Sequence, residues 1–145
     1  MATAPSCMDC GNKTMKLVTD RYRAEIKHDG RAYLVDLPVL QFYRCSNCPE
    51  SIVLPEAADQ AIGIELRRVA KLLSPAEIKE IRKRFELSQQ ELADVLDIAE
   101  STVCRWETGV QIQQRHFDKM RRAYAELPEF RNYLSSHRVA KSAVA

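Results

Sequence analysis

Apolar and polar residues alternate along Tyr22-Arg23-Ala24-Glu25-Ile26 and again along Ala32-Tyr33-Leu34-Val35-Asp36, the period of a half-buried strand. Between them lies His28-Asp29-Gly30-Arg31, and an Asp-Gly pair flanked by alternating runs predicts a β-hairpin. Pro38 either ends the second run or places it at a sheet edge, because proline cannot donate to a strand ladder. Leu40-Gln41-Phe42-Tyr43-Arg44 then reads as a third strand that delivers the chain to Cys45.

The period changes after residue 55. Ile62, Leu66, Val69 and Leu73 are spaced for one helix face, so residues 56–73 are expected to form a helix linking two modules, with Gly63 weakening it slightly. Ser74-Pro75-Ala76-Glu77 is a helix start, with serine as N-cap, proline in the first helical position and glutamate two residues further on. From there to about residue 135 the pattern is helical throughout. Ile78, Ile81 and Phe85 mark one helix. Ser88 to Leu96 is a second, capped by Ser88 with Glu91 three residues on. Glu100 to Thr108 is a third, ended by Gly109. Phe117, Met120, Tyr124 and Leu127 mark a fourth, and Glu129 to His137 a short fifth.

This pattern defines an α+β protein: a small N-terminal β module (1–55), a linking helix (56–73), an all-α five-helix domain (74–137) and a loose tail (138–145). The length of 145 residues suits two small units. No stretch approaches the roughly 18 apolar residues of a membrane helix. The first residues carry neither the basic nor the apolar region of a signal peptide, so a cytoplasmic, reducing location is expected. Charge adds little. Residues 1–70 hold nine basic and nine acidic side chains, so the net +2 belongs to the C-terminal half.

Four of the five cysteines carry stronger information. Cys7-Met-Asp-Cys10 and Cys45-Ser-Asn-Cys48 are two CxxC pairs with 34 residues between them, one at each end of the β segment. A CxxC turn brings two sulfurs to one ion, and two such turns complete a tetrahedral shell. One structural Zn²⁺ per chain, held by Cys7, Cys10, Cys45 and Cys48, is the expectation, stapling a sheet too small to stand alone. Disulfides or a thioredoxin-like redox pair are the competing readings, though no βαβ pattern surrounds either pair. Four sulfurs leave no open coordination position, and no paired base or nucleophile accompanies them, so an enzyme is not expected. His28, His116 and His137 are read as surface residues, and Cys104 as a plain small residue of the third helix.

The stretch from Leu87 to Gly109 places two short helices around a tight turn. Ala93 sits where the helices touch. Leu92, Leu96, Ile98, Val103 and Trp106 are expected to share a core. Glu100, Ser101, Thr102 and Arg105 are left on the outward face of the second helix, the layout of a major-groove reader. Arg105 suits a two-pronged contact to guanine, Ser101 and Thr102 suit bases or phosphates, and Gln89 is placed to meet a phosphate.

Ser88-Gln89, Glu91-Leu92-Ala93 and Thr102-Val103-Cys104-Arg105-Trp106-Glu107-Thr108-Gly109 resemble the helix-turn-helix of the XRE, or lambda-repressor-like, family. Combined with the CxxC…CxxC module, the chain is similar to the MqsA antitoxins, which carry a YgiT-type zinc finger. The resemblance implies that the zinc module binds a toxin, a ribonuclease. It also implies that the C-terminal domains form a homodimer on a palindromic operator in double-stranded DNA, that the zinc is structural, and that Arg105 reads a base. Phe130, Tyr133 and Leu134 are candidate dimer contacts. The chain departs from the best-known pattern at Ser101, where asparagine is usual, and at Asp97, where many such turns have glycine. The cysteine pairs are also farther apart, and the basic tail is extra. A stand-alone zinc-containing XRE regulator without a toxin is the alternative that the residues leave open.

Overall fold

The computed structural model describes residues 3–49 and 51–138, and divides the chain into two compact units, Met1–Ala70 and Lys71–Ala145. The tail expected beyond Arg138 lies outside the described residues.

Among the described residues, the first unit is a three-stranded antiparallel sheet, its strands adjacent in chain order, with one helix packed on it. Strands β1 (Met15–His28) and β2 (Arg31–Cys45) form one long hairpin, from Met15 opposite Cys45 to His28 opposite Arg31. Its two-residue turn has positive φ at both Asp29 (52°) and Gly30 (74°). That conformation matches strand twist and suits an Asp-Gly pair. The expected third strand is not separate: β2 runs through Pro38 to Cys45. The ladder shifts register between Asp20 and Tyr22, where Pro38 and Val39 stand opposite Arg21 alone. The missing N–H of Pro38 therefore falls at a bulge, where the ladder does not need it. The extra residue also exchanges the faces of β2, so that Val35 before it and Leu40 and Phe42 after it are all buried.

Strand β3 (Ile52–Val53) pairs with Tyr43 and Arg44. Helix α1 (Glu56–Ala70) lies on β2 and buries Ala58, Ile62 and Leu66. It stops at Ala70, three residues short of the expected end, because Lys71 adopts a left-handed φ of 57°. Leu73, expected on this helix face, enters the core of the second unit instead.

Among the described residues, the second unit holds five helices: α2 (Pro75–Arg84), α3 (Gln89–Leu96), α4 (Glu100–Thr108), α5 (Arg115–Glu126) and α6 (Pro128–Ser136). Ser74 and Glu77 complete a reciprocal capping box at α2, and Ser88 Oγ accepts from the Glu91 amide at α3. The core joins Leu73, Ile78, Ile81, Leu92, Ala93, Leu96, Val103 and Trp106, with Phe85, Ile98, Phe117 and Met120 packed against it. The expected core of the two central helices is thus assembled. Leu127 is not part of it: it ends α5 and is largely exposed.

Candidate nucleic-acid interface and metal centre

Between α3 and α4 the chain turns within three residues. Ile98 N–H bonds back to Ala93 O at 2.9 Å and Asp97 N–H to Asp94 O at 3.4 Å, with Asp97 at φ 55°. This is a Schellman-type ending, which satisfies the last carbonyls of α3 and leaves Ile98 to seal the apolar side. Asp97 tolerates the left-handed region better than most side chains, so the absence of glycine does not unmake the turn. Ala93 is wholly buried at the crossing, where a larger residue would hold α4 away.

Helix α4 has two distinct sides. Val103 and Trp106 are buried. Glu100, Ser101, Cys104 and Arg105 are exposed, and Thr102 is half-buried at the margin. Gly109 ends the helix at φ 84°, a conformation that glycine adopts without strain. Of the residues singled out from sequence, Glu100, Ser101 and Arg105 therefore stand together on one exposed helix surface.

Gln89 has an additional partner. Its Nε2 donates to Glu107 Oε2 at 3.0 Å, while Arg82 Nε donates to Glu107 Oε1 at 2.6 Å and Arg82 Nη1 to Leu87 O at 2.8 Å. Burial pushes the Glu107 carboxyl up, but the bonds from Arg82 and Gln89 outweigh it and leave the group below its ordinary range. This knot ties α4 to α2 and to the first turn of α3. Arg82 and Glu107 are far apart in sequence and carry no local signature, so pattern reading, which singled out Gln89 for a phosphate, missed the pairing of the three.

A second buried polar set supports the same domain from α5. Asp118 accepts from Leu73 N–H at 2.8 Å, Gln113 Nε2 at 3.0 Å and Arg122 Nε at 2.8 Å. Gln113 Nε2 also donates to Leu73 O at 2.7 Å. Arg121 is wholly buried, with its guanidinium carbon 4.4 Å from the centre of the Trp106 ring.

In the first unit, the Sγ atoms of Cys7, Cys10, Cys45 and Cys48 all lie within 4.8 Å of one another. Zinc–sulfur bonds near 2.3 Å imply tetrahedron edges of about 3.8 Å, and Cys10 Sγ and Cys45 Sγ are 3.8 Å apart. The cluster is dry on one side: Cys7 and Cys45 pack with Met15, and Tyr43 and Val53 close over them. The two turns are built alike. After the Ser51 hydroxyl for Cys7 and the Thr14 hydroxyl for Cys45, the backbone amides of Asp9 and Cys10, and of Asn47 and Cys48, lower the first thiol of each turn, which favours a thiolate there.

The Ser51 hydroxyl, followed by these amides, draws the Cys7 thiol down to about 6. The Cys10 thiol beside Cys48, and then burial, push Cys48 up to about 12. Four sulfurs this close cannot all ionise without a cation between them. The donor set and its spacing fit a tetrahedral soft metal ion. His28, His116 and His137 do not join the cluster, and Cys104 is a separate, exposed thiol.

Residues 78–129 match the helix-turn-helix family. The match runs from Ile78 in α2 to Glu129 in α6 and contains α3, the Asp97 turn and α4. No curated protein matches the chain. Within the C-terminal unit, α3, the Asp97 turn and α4 have the arrangement of a helix-turn-helix, a motif that in DNA-binding proteins places its second helix in the major groove. The chain joins this domain to an N-terminal sheet carrying a four-cysteine site that can hold a metal ion. Among the described residues, no helix is long and apolar enough to cross a membrane.

Proposed function

We propose that this protein is a sequence-specific transcriptional repressor that also serves as the antitoxin of a type II toxin–antitoxin pair. The observation that carries the DNA-binding half is the exposed surface of α4, polar at Glu100, Ser101 and Arg105 over a buried Val103 and Trp106. Arg105 reads guanine in the major groove. Ser101 and Thr102 contact bases or the adjoining backbone, Glu100 accepts from a base amino group, and the Gln89 amide at the α3 N-terminus meets a phosphate.

The protein binds as a homodimer to a palindromic operator, with recognition helices about 34 Å apart. Helix α6 supports that assembly. It has no buried residue, and it presents Tyr133 beside the half-buried Phe130 and Leu134.

The four cysteines hold one Zn²⁺, which cross-links the two ends of the hairpin and leaves no position for a substrate. The N-terminal unit around it receives the toxin, a ribonuclease. This last assignment rests on the resemblance to the MqsA antitoxins in module order, cysteine pairs and helix-turn-helix residues.

If a small gene lies beside that of this protein, co-expression with its product tests the antitoxin half. Toxicity of that product alone, growth rescue by this protein and a complex that co-purifies are the expected results. Absence of toxicity and of any complex would overturn the antitoxin reading and leave a stand-alone repressor.

A further inference from the structure

The four sulfurs are not equivalent. Cys7 and Cys45, the first cysteine of each pair, are buried, whereas Cys10 and Cys48 are half-buried. Each inner sulfur also meets a hydroxyl, and in each case that hydroxyl comes from beyond the opposite turn. Thr14 follows the Cys7–Cys10 turn and places Oγ1 2.9 Å from Cys45 Sγ. Ser51 follows the Cys45–Cys48 turn and places Oγ 3.3 Å from Cys7 Sγ. The outer sulfur of Cys10 is 3.9 Å from Thr14 Oγ1, at the edge of a sulfur hydrogen bond.

Both hydroxyl residues are fixed by their main chains. Thr14 O accepts from Ser46 N–H and Ser46 Oγ, each at 3.1 Å. Ser51 N–H donates to Cys48 O at 2.9 Å, and Ser51 O accepts from Cys45 N–H at 3.2 Å. The arrangement is therefore reciprocal: each half of the site braces the first sulfur of the other half.

A metal-bound thiolate has no proton, so in the loaded site the hydroxyl is the donor. A donor to a ligand sulfur draws charge off it, making it less nucleophilic. Partners of this kind commonly change metal affinity 10- to 100-fold.

We propose that Thr14 and Ser51 are positioning residues of the metal centre. Their hydroxyls strengthen metal binding and shield Cys45 and Cys7, so that Cys10 and Cys48 are the thiolates that electrophiles reach first. This rests on the metal-binding reading above. It predicts that the centre opens from one side, with the inner pair retaining the ion after an outer sulfur has left.

The test uses the full chain loaded with Zn²⁺. In competition with a chromogenic chelator, Thr14→Val and Ser51→Ala should each weaken binding by about 10-fold, and Thr14→Ser should restore it. Separately, the wild-type chain is treated with limiting N-ethylmaleimide, and each cysteine is followed by peptide mass spectrometry. In that reaction a sulfur–carbon bond forms, the metal–sulfur bond breaks, and solvent supplies the proton to the maleimide carbon. Cys104 should label first, then Cys10 and Cys48, and Cys7 and Cys45 last. Thr14→Val should accelerate labelling of Cys45, and Ser51→Ala that of Cys7.

Wild-type affinity in both variants, or equal labelling of all four site cysteines in the wild-type chain, would overturn the proposal. Should either variant fail to fold, the wild-type labelling order still decides it. A wild-type chain that binds no zinc would instead refute the metal reading itself.

Discussion

Arg82 Nε lies 2.6 Å from Glu107 Oε1, and the two side chains are enclosed, with 12% and 4% of their surface exposed. Glu107 follows Trp106 on α4, so this pair fixes the end of the helix that carries Arg105. Breaking a buried pair leaves an uncompensated charge, which costs more than the pair itself contributes. Glu107→Ala should therefore destabilise the C-terminal unit by about 3 kcal/mol, the low end for such a loss. Denaturant titration followed by the fluorescence of Trp106, the single tryptophan, measures this. A change within experimental error would show that the pair does not hold α4.

The same region sets an acid limit. Burial pushes Glu107 and Asp118 up. Hydrogen bonds from Arg82 and Gln89 to the first, and from Arg122, Leu73 N–H and Gln113 to the second, win in both cases. The folded groups thus titrate below their ordinary values of 4.5 and 3.8. A depressed folded value means that the stabilisation is complete above the unfolded value and is lost as pH falls through the folded one. The melting temperature should be steady from neutrality to about pH 5 and fall below about pH 4. Asp118→Asn should start lower and show a shallower acid fall. A melting temperature that does not change between about pH 5 and pH 3 would contradict this.

Arg121 presents the opposite case. Among the described residues its Nε and both Nη atoms have no hydrogen-bond partner, and burial pulls its pKa down to about 10 against the opposing fields of Asp118 and Glu107. Stacking a cation on an indole ring contributes about 2 kcal/mol when desolvated, less than the several kcal/mol that burying the charge costs. Arg121→Met keeps much of the packing and removes the charge, so it should leave thermal stability unchanged or raise it. Arg121→Ala should lower stability by opening a cavity. A large loss in the methionine variant would mean that the charge itself holds α5 against α4.

Metal removal should separate the two units. Structural zinc in small modules contributes on the order of 10 kcal/mol of apparent folding energy. Chelation, or Cys45→Ser, should therefore abolish the β signal in circular dichroism while the Trp106 fluorescence maximum stays that of a buried indole. A β signal that survives complete removal of metal would show that α1 and the hairpin fold unaided.

Much of this was legible in local pattern, because hairpins and helix caps are short-range chemistry. Asp29-Gly30 marked the turn, Ser74 and Ser88 marked two helix starts, Gly109 marked a helix end, and the paired CxxC spacing located the cysteine cluster. Three features were not legible. The bulge at Pro38 depends on what stands across the ladder, since a proline that breaks one strand is absorbed in another when its partner offers Arg21 alone. Lys71 ends α1 in a conformation that its residue type does not announce. Asp118 and Arg121 lie three apart on the buried side of α5 beside Tyr124. Helical periodicity of apolar residues assigns that side to Phe117, Met120 and Tyr124 and says nothing of charges satisfied from distant segments.

The central claim is that α4 reads DNA sequence through Arg105. The full chain would be used to select duplexes from a random pool. Affinities of the wild-type protein and Arg105→Ala would then be measured for the enriched duplex and for a scrambled one, at several salt concentrations. The account predicts an enriched palindrome, a loss of about 1–3 kcal/mol for Arg105→Ala on it, and a much smaller change on the scrambled duplex. No enriched sequence, or equal affinity of both proteins for the enriched duplex, would contradict it.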